Sequence, residues 1–164
     1  MYDDLMGHPF ASRNAVLSLA RHTAKRLLAE AQEALPYEYS ALLTGRGSMV
    51  TGYLPMRSAG HGRHAFSWDA PSFFQALASV RKAGVQWVGV LHSHPTTPPV
   101  PSEADQSGWH YPQLAYWILG LAGRRPDLRL YQWSDGRFVE RPYALADITG
   151  SVGSTGDDTL PRSV

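Results

Sequence analysis

Between Arg21 and Leu35 the apolar residues fall at Ala24, Leu27, Leu28, Ala31 and Leu35, while Arg21, Lys25, Arg26 and Glu33 stand off that line. The spacing is one face of an amphipathic helix, and Pro36 closes it because proline cannot extend a helix. A second helix is predicted after Asp69, which suits an N-cap, with Pro71 in its first turn and Gly84 as its stop. Its apolar positions are Phe73, Phe74, Leu77, Ala78 and Val80. Short apolar runs predict strands over 15–19, 39–44, 49–56, 114–121, 128–133 and 137–140, the last two joined by a Ser134-Asp135-Gly136 turn. Residues 85–91 are the nearly continuous apolar run of a buried strand, and they lead directly into His92-Ser93-His94. Residues 95–101 hold four prolines and can be neither helix interior nor central strand. Ser102 then opens a further helix.

Helices and strands mix without strict alternation, which predicts an α/β chain of the mixed α+β kind. Residues 1–14 carry no period and read as a lead-in to a domain over 15–146. Residues 147–164 form a Gly-, Ser-, Thr- and Asp-rich tail expected to be disordered.

At 164 residues and 43% hydrophobic, the chain makes one domain with a core that needs no cross-links. Fifteen Lys and Arg against fourteen Asp and Glu leave a net charge of +1, so there is no electrostatic footprint for nucleic acid. No apolar run approaches the roughly 18 residues of a membrane span. The acidic N-terminal stretch lacks the features of a signal peptide, and a cytoplasmic protein is expected. Cysteine is absent, which removes disulfides, thiolate metal sites and cysteine nucleophiles. Any metal must be held by histidine and carboxylate.

That restriction directs attention to His92 and His94. In a strand, residues two apart point the same way, so both imidazoles can meet one ion. Ser102-x-x-Asp105 is a helix-start signature that occurs for stability alone. It also fits a second role, because a helix start aimed at the strand end would bring Asp105 beside the histidines. Two His and one Asp leave a fourth position for water, the open arrangement of catalytic zinc; other divalent metals share this ligand chemistry. Glu38, between Pro36-Tyr37 and the apolar 41–43 run, is a candidate proton carrier. His61, His64 and His110 read as surface or satisfied histidines, and Trp109, Tyr111, Tyr116 and Trp117 as core.

Taken together, Glu38, His92-Ser93-His94-Pro95 and Ser102-x-x-Asp105 resemble the JAMM motif of MPN/Mov34-type metalloproteases. Pro36-x-Glu38-x-x-x-Leu42-Leu43-x-Gly45 resembles the stretch around that family's glutamate, and Val88-Gly89-Val90-Leu91 its central strand. The resemblance implies a central mixed β-sheet flanked by helices, related to cytidine-deaminase-like architecture. It implies His92, His94 and Asp105 as ligands to one Zn²⁺, Glu38 as general base and acid, and Ser102 as donor to the developing oxyanion. Where many members have Cys-Gly after the glutamate, this chain has Ser40-Ala41, so no thiol-based control exists there. The implied activity is hydrolysis of a peptide or isopeptide bond, after the Gly-Gly terminus of a ubiquitin-like or sulfur-carrier protein. Residues 57–64 and 95–101 are candidate walls for that tail. A non-catalytic MPN scaffold and a hydrolase of a carrier–amino-acid conjugate are the alternatives. No membrane or nucleic-acid partner is expected.

Overall fold

A computed structural model of the protein describes residues 5–57 and 68–148. In chain order the elements are β1 (Leu17–Ala20), α1 (Arg21–Ala34), β2 (Ser40–Arg46), β3 (Met49–Met56), α2 (Ala70–Ala83), β4 (Gln86–His94), α3 (Glu103–Ser107), β5 (Ala115–Gly120), β6 (Asp127–Ser134), β7 (Arg137–Arg141) and β8 (Tyr143–Ala146). The strands form one mixed sheet in the order β7-β6-β5-β4-β2-β3-β1-β8. Neighbours β4/β5, β1/β3 and β1/β8 run parallel, and the other pairs are antiparallel.

The two outermost strands, β7 and β8, are separated in sequence by Pro142 alone. A chain cannot reach both edges of a flat eight-stranded sheet in one residue, so the sheet curls until its edges approach. Tyr143 of β8 accordingly donates its hydroxyl to the Leu128 carbonyl of β6 at 2.7 Å and sets its ring 4.9 Å from that of Trp117 on β5. The sequence pattern did not predict β8. It is four residues long, half-exposed, and paired with a strand far away in the chain.

α1 and α2 each cover one face. Thr23, Leu27 and Ala31, on one line of α1, are buried, and the last two pack with Leu43, Leu91, Trp117 and Leu130. On the other face, Ala76 and Val80 of α2 join Leu42, Trp87, Val90, Tyr116 and Ile118. The predicted cap of α2 is present: the Asp69 carboxylate accepts from the Ser72 N–H at 3.1 Å and from its hydroxyl at 2.7 Å. These bonds favour the ionised carboxylate and hold its pKa below the ordinary value. The β6–β7 turn places Asp135 at φ 51° and Gly136 at φ 79°, the two left-handed positions that an Asp-Gly hairpin supplies.

The buried strand runs further than its apolar residues. β4 lies between β2 and β5, and residues 87–94, including both histidines, are buried. The lead-in is also engaged, with Leu5 buried and the Gly7 N–H bonded to the Trp87 carbonyl at 2.8 Å. Among the described residues no helix is long and apolar enough to cross a membrane.

Candidate metal centre

His92 and His94 close β4 on the face that carries α2, and strand alternation turns both rings to one side. The next residues, 95–101, leave the sheet and return as α3, whose first turn is fixed by a reciprocal capping box. Ser102 Oγ accepts from the Asp105 N–H at 3.1 Å, and the Ser102 N–H donates to Asp105 Oδ2 at 2.7 Å. The predicted helix-start signature is present, and Asp105 lies beside both histidines. The cap that starts the helix also turns the Asp105 carboxylate toward the strand end.

Three buried donors converge. His92 Nε2 lies 3.0 Å from His94 Nε2 and 3.2 Å from Asp105 Oδ1, and His94 Nε2 lies 3.5 Å from Asp105 Oδ2. Ligand atoms about 2.0–2.1 Å from a tetrahedral Zn²⁺ stand roughly 3.3–3.4 Å from one another. The observed separations bracket that figure, so the residues fit such an ion.

Surrounding groups orient each donor. His94 Nδ1 lies 2.7 Å from the Pro98 carbonyl, which can only accept; Nδ1 therefore carries the proton, and in the neutral ring the Nε2 lone pair faces the other donors. The Tyr116 hydroxyl donates to Asp105 Oδ1 at 2.7 Å. Burial opposes ionisation of Asp105, but the neighbouring His92 and His94 imidazoles outweigh it and hold the carboxyl well below the usual range. Burial also disfavours charge on His94, yet the bonds to Asp105 and Pro98 raise its pKa on balance. Burial and the neighbouring carboxylate push the Tyr116 phenol up, which keeps it a donor.

Glu38 is brought to the same place by register. Ser40 of β2 pairs with His92, and Tyr39 pairs with Ser93 through the Ser93 N–H to Tyr39 carbonyl bond at 2.8 Å. Continued one residue past the strand, that register brings the exposed Glu38 to the His94 end of β4. Its charge is close enough to raise the pKa of both His94 and Tyr116. Ser102, also exposed, uses an oxygen lone pair in the cap and keeps its hydroxyl proton for another acceptor.

The loop 95–101 is held at three points. Besides Pro98, the Pro99 carbonyl accepts from the Tyr131 hydroxyl at 2.6 Å, and the Pro99 ring lies so close to Gly120 that a Cβ there would stand 2.7 Å from Pro99 Cδ. The other expected wall, 57–64, lies beyond Arg57 outside the described residues, as do His61 and His64. His110 is exposed, Tyr111 half-buried, and Trp109, Tyr116 and Trp117 are core, as read from the sequence. Missed there was that Tyr116 also serves Asp105. A tyrosine in an apolar strand requires a partner for its hydroxyl, and that requirement was the available signal. Ser40 accepts from the Trp68 indole N–H at 2.6 Å.

The family described as prokaryotic homologues of the JAB domain matches residues 20–134. The desampylase of Haloferax volcanii is 30% identical over 136 residues, covering 79% of this chain and 96% of that one. The solution structure of a Desulfitobacterium hafniense protein superposes with a TM-score of 0.71 at 29% identity, over 80% of this chain and 94% of the other. A JAB1/MPN domain protein of Archaeoglobus fulgidus shares the fold, with a TM-score of 0.55 at 18% identity over 82% of this chain and the whole of the other. The chain belongs to the family of prokaryotic JAB-domain proteins. It is a JAMM-type hydrolase with a mixed sheet flanked by helices.

Proposed function

We propose that this chain is a zinc-dependent peptidase of the cytoplasm, with residues 15–146 as its catalytic domain, which hydrolyses the bond after the Gly-Gly terminus of a ubiquitin-like or sulfur-carrier protein. The observation that carries the reading is the buried convergence of His92, His94 and Asp105 with Glu38 at the His94 end of β4. Similarity to a desampylase supports a conjugate of a ubiquitin-like protein as the substrate class. His92 Nε2, His94 Nε2 and an Asp105 oxygen would hold one Zn²⁺. When bound, zinc supplies Lewis acidity, polarising a carbonyl and making water available as a nucleophile near neutral pH.

This chain's own residues supply the rest. Glu38 takes the proton of the attacking water and returns it to the departing amine, a contribution on the order of 10²–10⁴-fold. Ser102 donates its free hydroxyl proton to the carbonyl oxygen as charge develops there. Tyr116 and the Pro98 carbonyl keep Asp105 and His94 in place. With the 95–101 loop as one wall of the approach, glycine would be favoured, because a residue without Cβ lets the backbone come close.

The test is intact-mass analysis of a ubiquitin-like carrier ending in Gly-Gly plus a short extension. Trimming back to Gly-Gly is expected, and it should vanish in Glu38→Gln while bound zinc remains. Replacing the glycines with Leu should slow cleavage at least tenfold, about 1.4 kcal/mol in the barrier. Equal rates on the Leu carrier would overturn the diglycine reading, and undiminished cleavage by Glu38→Gln would overturn the role of Glu38.

A further inference from the structure

Glu38 occupies an awkward place for a proton carrier. α1 ends at Ala34, and Leu35, Pro36, Tyr37 and Glu38 are all exposed before β2 begins at Ser40. A proton carrier must be held within a fraction of an ångström of its working geometry, because misplacement by about 1 Å can cost 10²-fold in rate. The residue next to it is fixed from three directions. The Tyr39 carbonyl accepts from the Ser93 N–H at 2.8 Å. The Tyr39 N–H donates at 2.8 Å to the Ser93 hydroxyl, where a regular antiparallel rung would use the facing carbonyl. At its far end the Tyr39 hydroxyl donates to Glu30 of α1, whose other carboxylate oxygen accepts from the Tyr53 hydroxyl at 3.0 Å.

Ser93 is itself the residue between the two histidines and is fully buried. The same short stretch of β4 therefore carries two of the three metal donors and the hydroxyl that fixes the neighbour of Glu38. We infer that Ser93, Tyr39 and Glu30 are positioning residues that hold Glu38 at the His94 end of β4, so that ligand spacing and proton-carrier spacing are set by one strand. The inference rests on the proposed role of Glu38. Ser93→Ala removes the acceptor of the Tyr39 N–H without touching a ligand. Ser93→Thr keeps that acceptor, and Tyr39→Phe releases only the tie to Glu30.

The experiment measures kcat, KM and bound zinc for wild type, Ser93→Ala, Ser93→Thr, Tyr39→Phe and Glu38→Gln on the Gly-Gly carrier, with hydrogen exchange at the Tyr39 amide as a readout independent of activity. Ser93→Ala should lower kcat at least tenfold, hold KM and zinc content near wild type, and speed exchange at Tyr39. Ser93→Thr should restore kcat. If Ser93→Ala does not fold, Tyr39→Phe carries the test, with a smaller fall in kcat at constant KM. Wild-type kcat in Ser93→Ala, or in Tyr39→Phe where that variant stands in, would overturn the inference and leave the proposed function standing. A loss of activity that tracks a loss of bound zinc would overturn it in the same way. Full activity in Glu38→Gln would instead overturn the proposed function, and this inference with it.

Discussion

Removing one oxygen atom, by Tyr116→Phe, isolates what the buried shell contributes to the metal centre. The Tyr116 ring is fully buried, with ring centroids of Phe138, Trp109 and His92 at 4.4, 4.8 and 5.2 Å. Phenylalanine keeps those contacts and opens no cavity larger than the hydroxyl. What is lost is the 2.7 Å bond to Asp105 Oδ1. Hydrogen bonds to charged groups contribute roughly 1.5–3 kcal/mol. The lower end applies, because Asp105 Oδ1 keeps His92 Nε2 at 3.2 Å. At about 2–4 °C per kcal/mol for a domain of this size, the metal-free variant should melt roughly 3–6 °C lower. Zinc affinity should fall about tenfold, the lower end of what loss of a ligand's hydrogen-bond partner brings. Competition with a chromophoric chelator gives the affinity, and thermal melts in excess chelator give the stability. A variant that binds zinc as tightly as wild type and melts at the same temperature would refute the claim that Tyr116 holds Asp105.

Gly120→Ala should lower Tm by an amount equivalent to about 1–3 kcal/mol, because its Cβ would meet Pro99 Cδ at 2.7 Å. It should also weaken zinc binding as the Pro98 carbonyl moves off His94 Nδ1; an unchanged chelator competition curve would contradict the loop's role. Asp69→Ala should melt below wild type at neutral pH. The Asp69 carboxyl is held below its unfolded value, so its contribution is complete above that value and disappears as pH falls through the folded one. The gap between the two melting temperatures should therefore close in acid, and a gap independent of pH would show that the cap works without its charge.

The parts of the site that were legible in the sequence are those that a local rule fixes. Alternation along β4 put His92 and His94 on one side, and the capping box gave Asp105 its direction, both within a few residues of chain. The β2–β4 register that brings Glu38 to the His94 end of β4 links segments about fifty residues apart. Only the combined motif suggested that meeting, since a Glu after a helix-ending proline has no local signature. Tyr116 looked like core because its ring is core, and a hydroxyl's partner is a tertiary fact. β8 was missed for a related reason. Tyr143-Ala144-Leu145-Ala146 carries little pattern of its own, and it becomes a strand because the curled sheet brings β1 beside it.

The central claim is that His92, His94 and Asp105 hold a metal ion that Glu38 does not ligate. The measurement that tests it most directly is zinc per chain, by elemental analysis after equilibration and desalting, in wild type, Asp105→Ala and Glu38→Gln. One zinc per chain is expected in wild type and in Glu38→Gln, with Asp105→Ala retaining little. Wild type that takes up no zinc, or Asp105→Ala that keeps a full equivalent, would contradict the account.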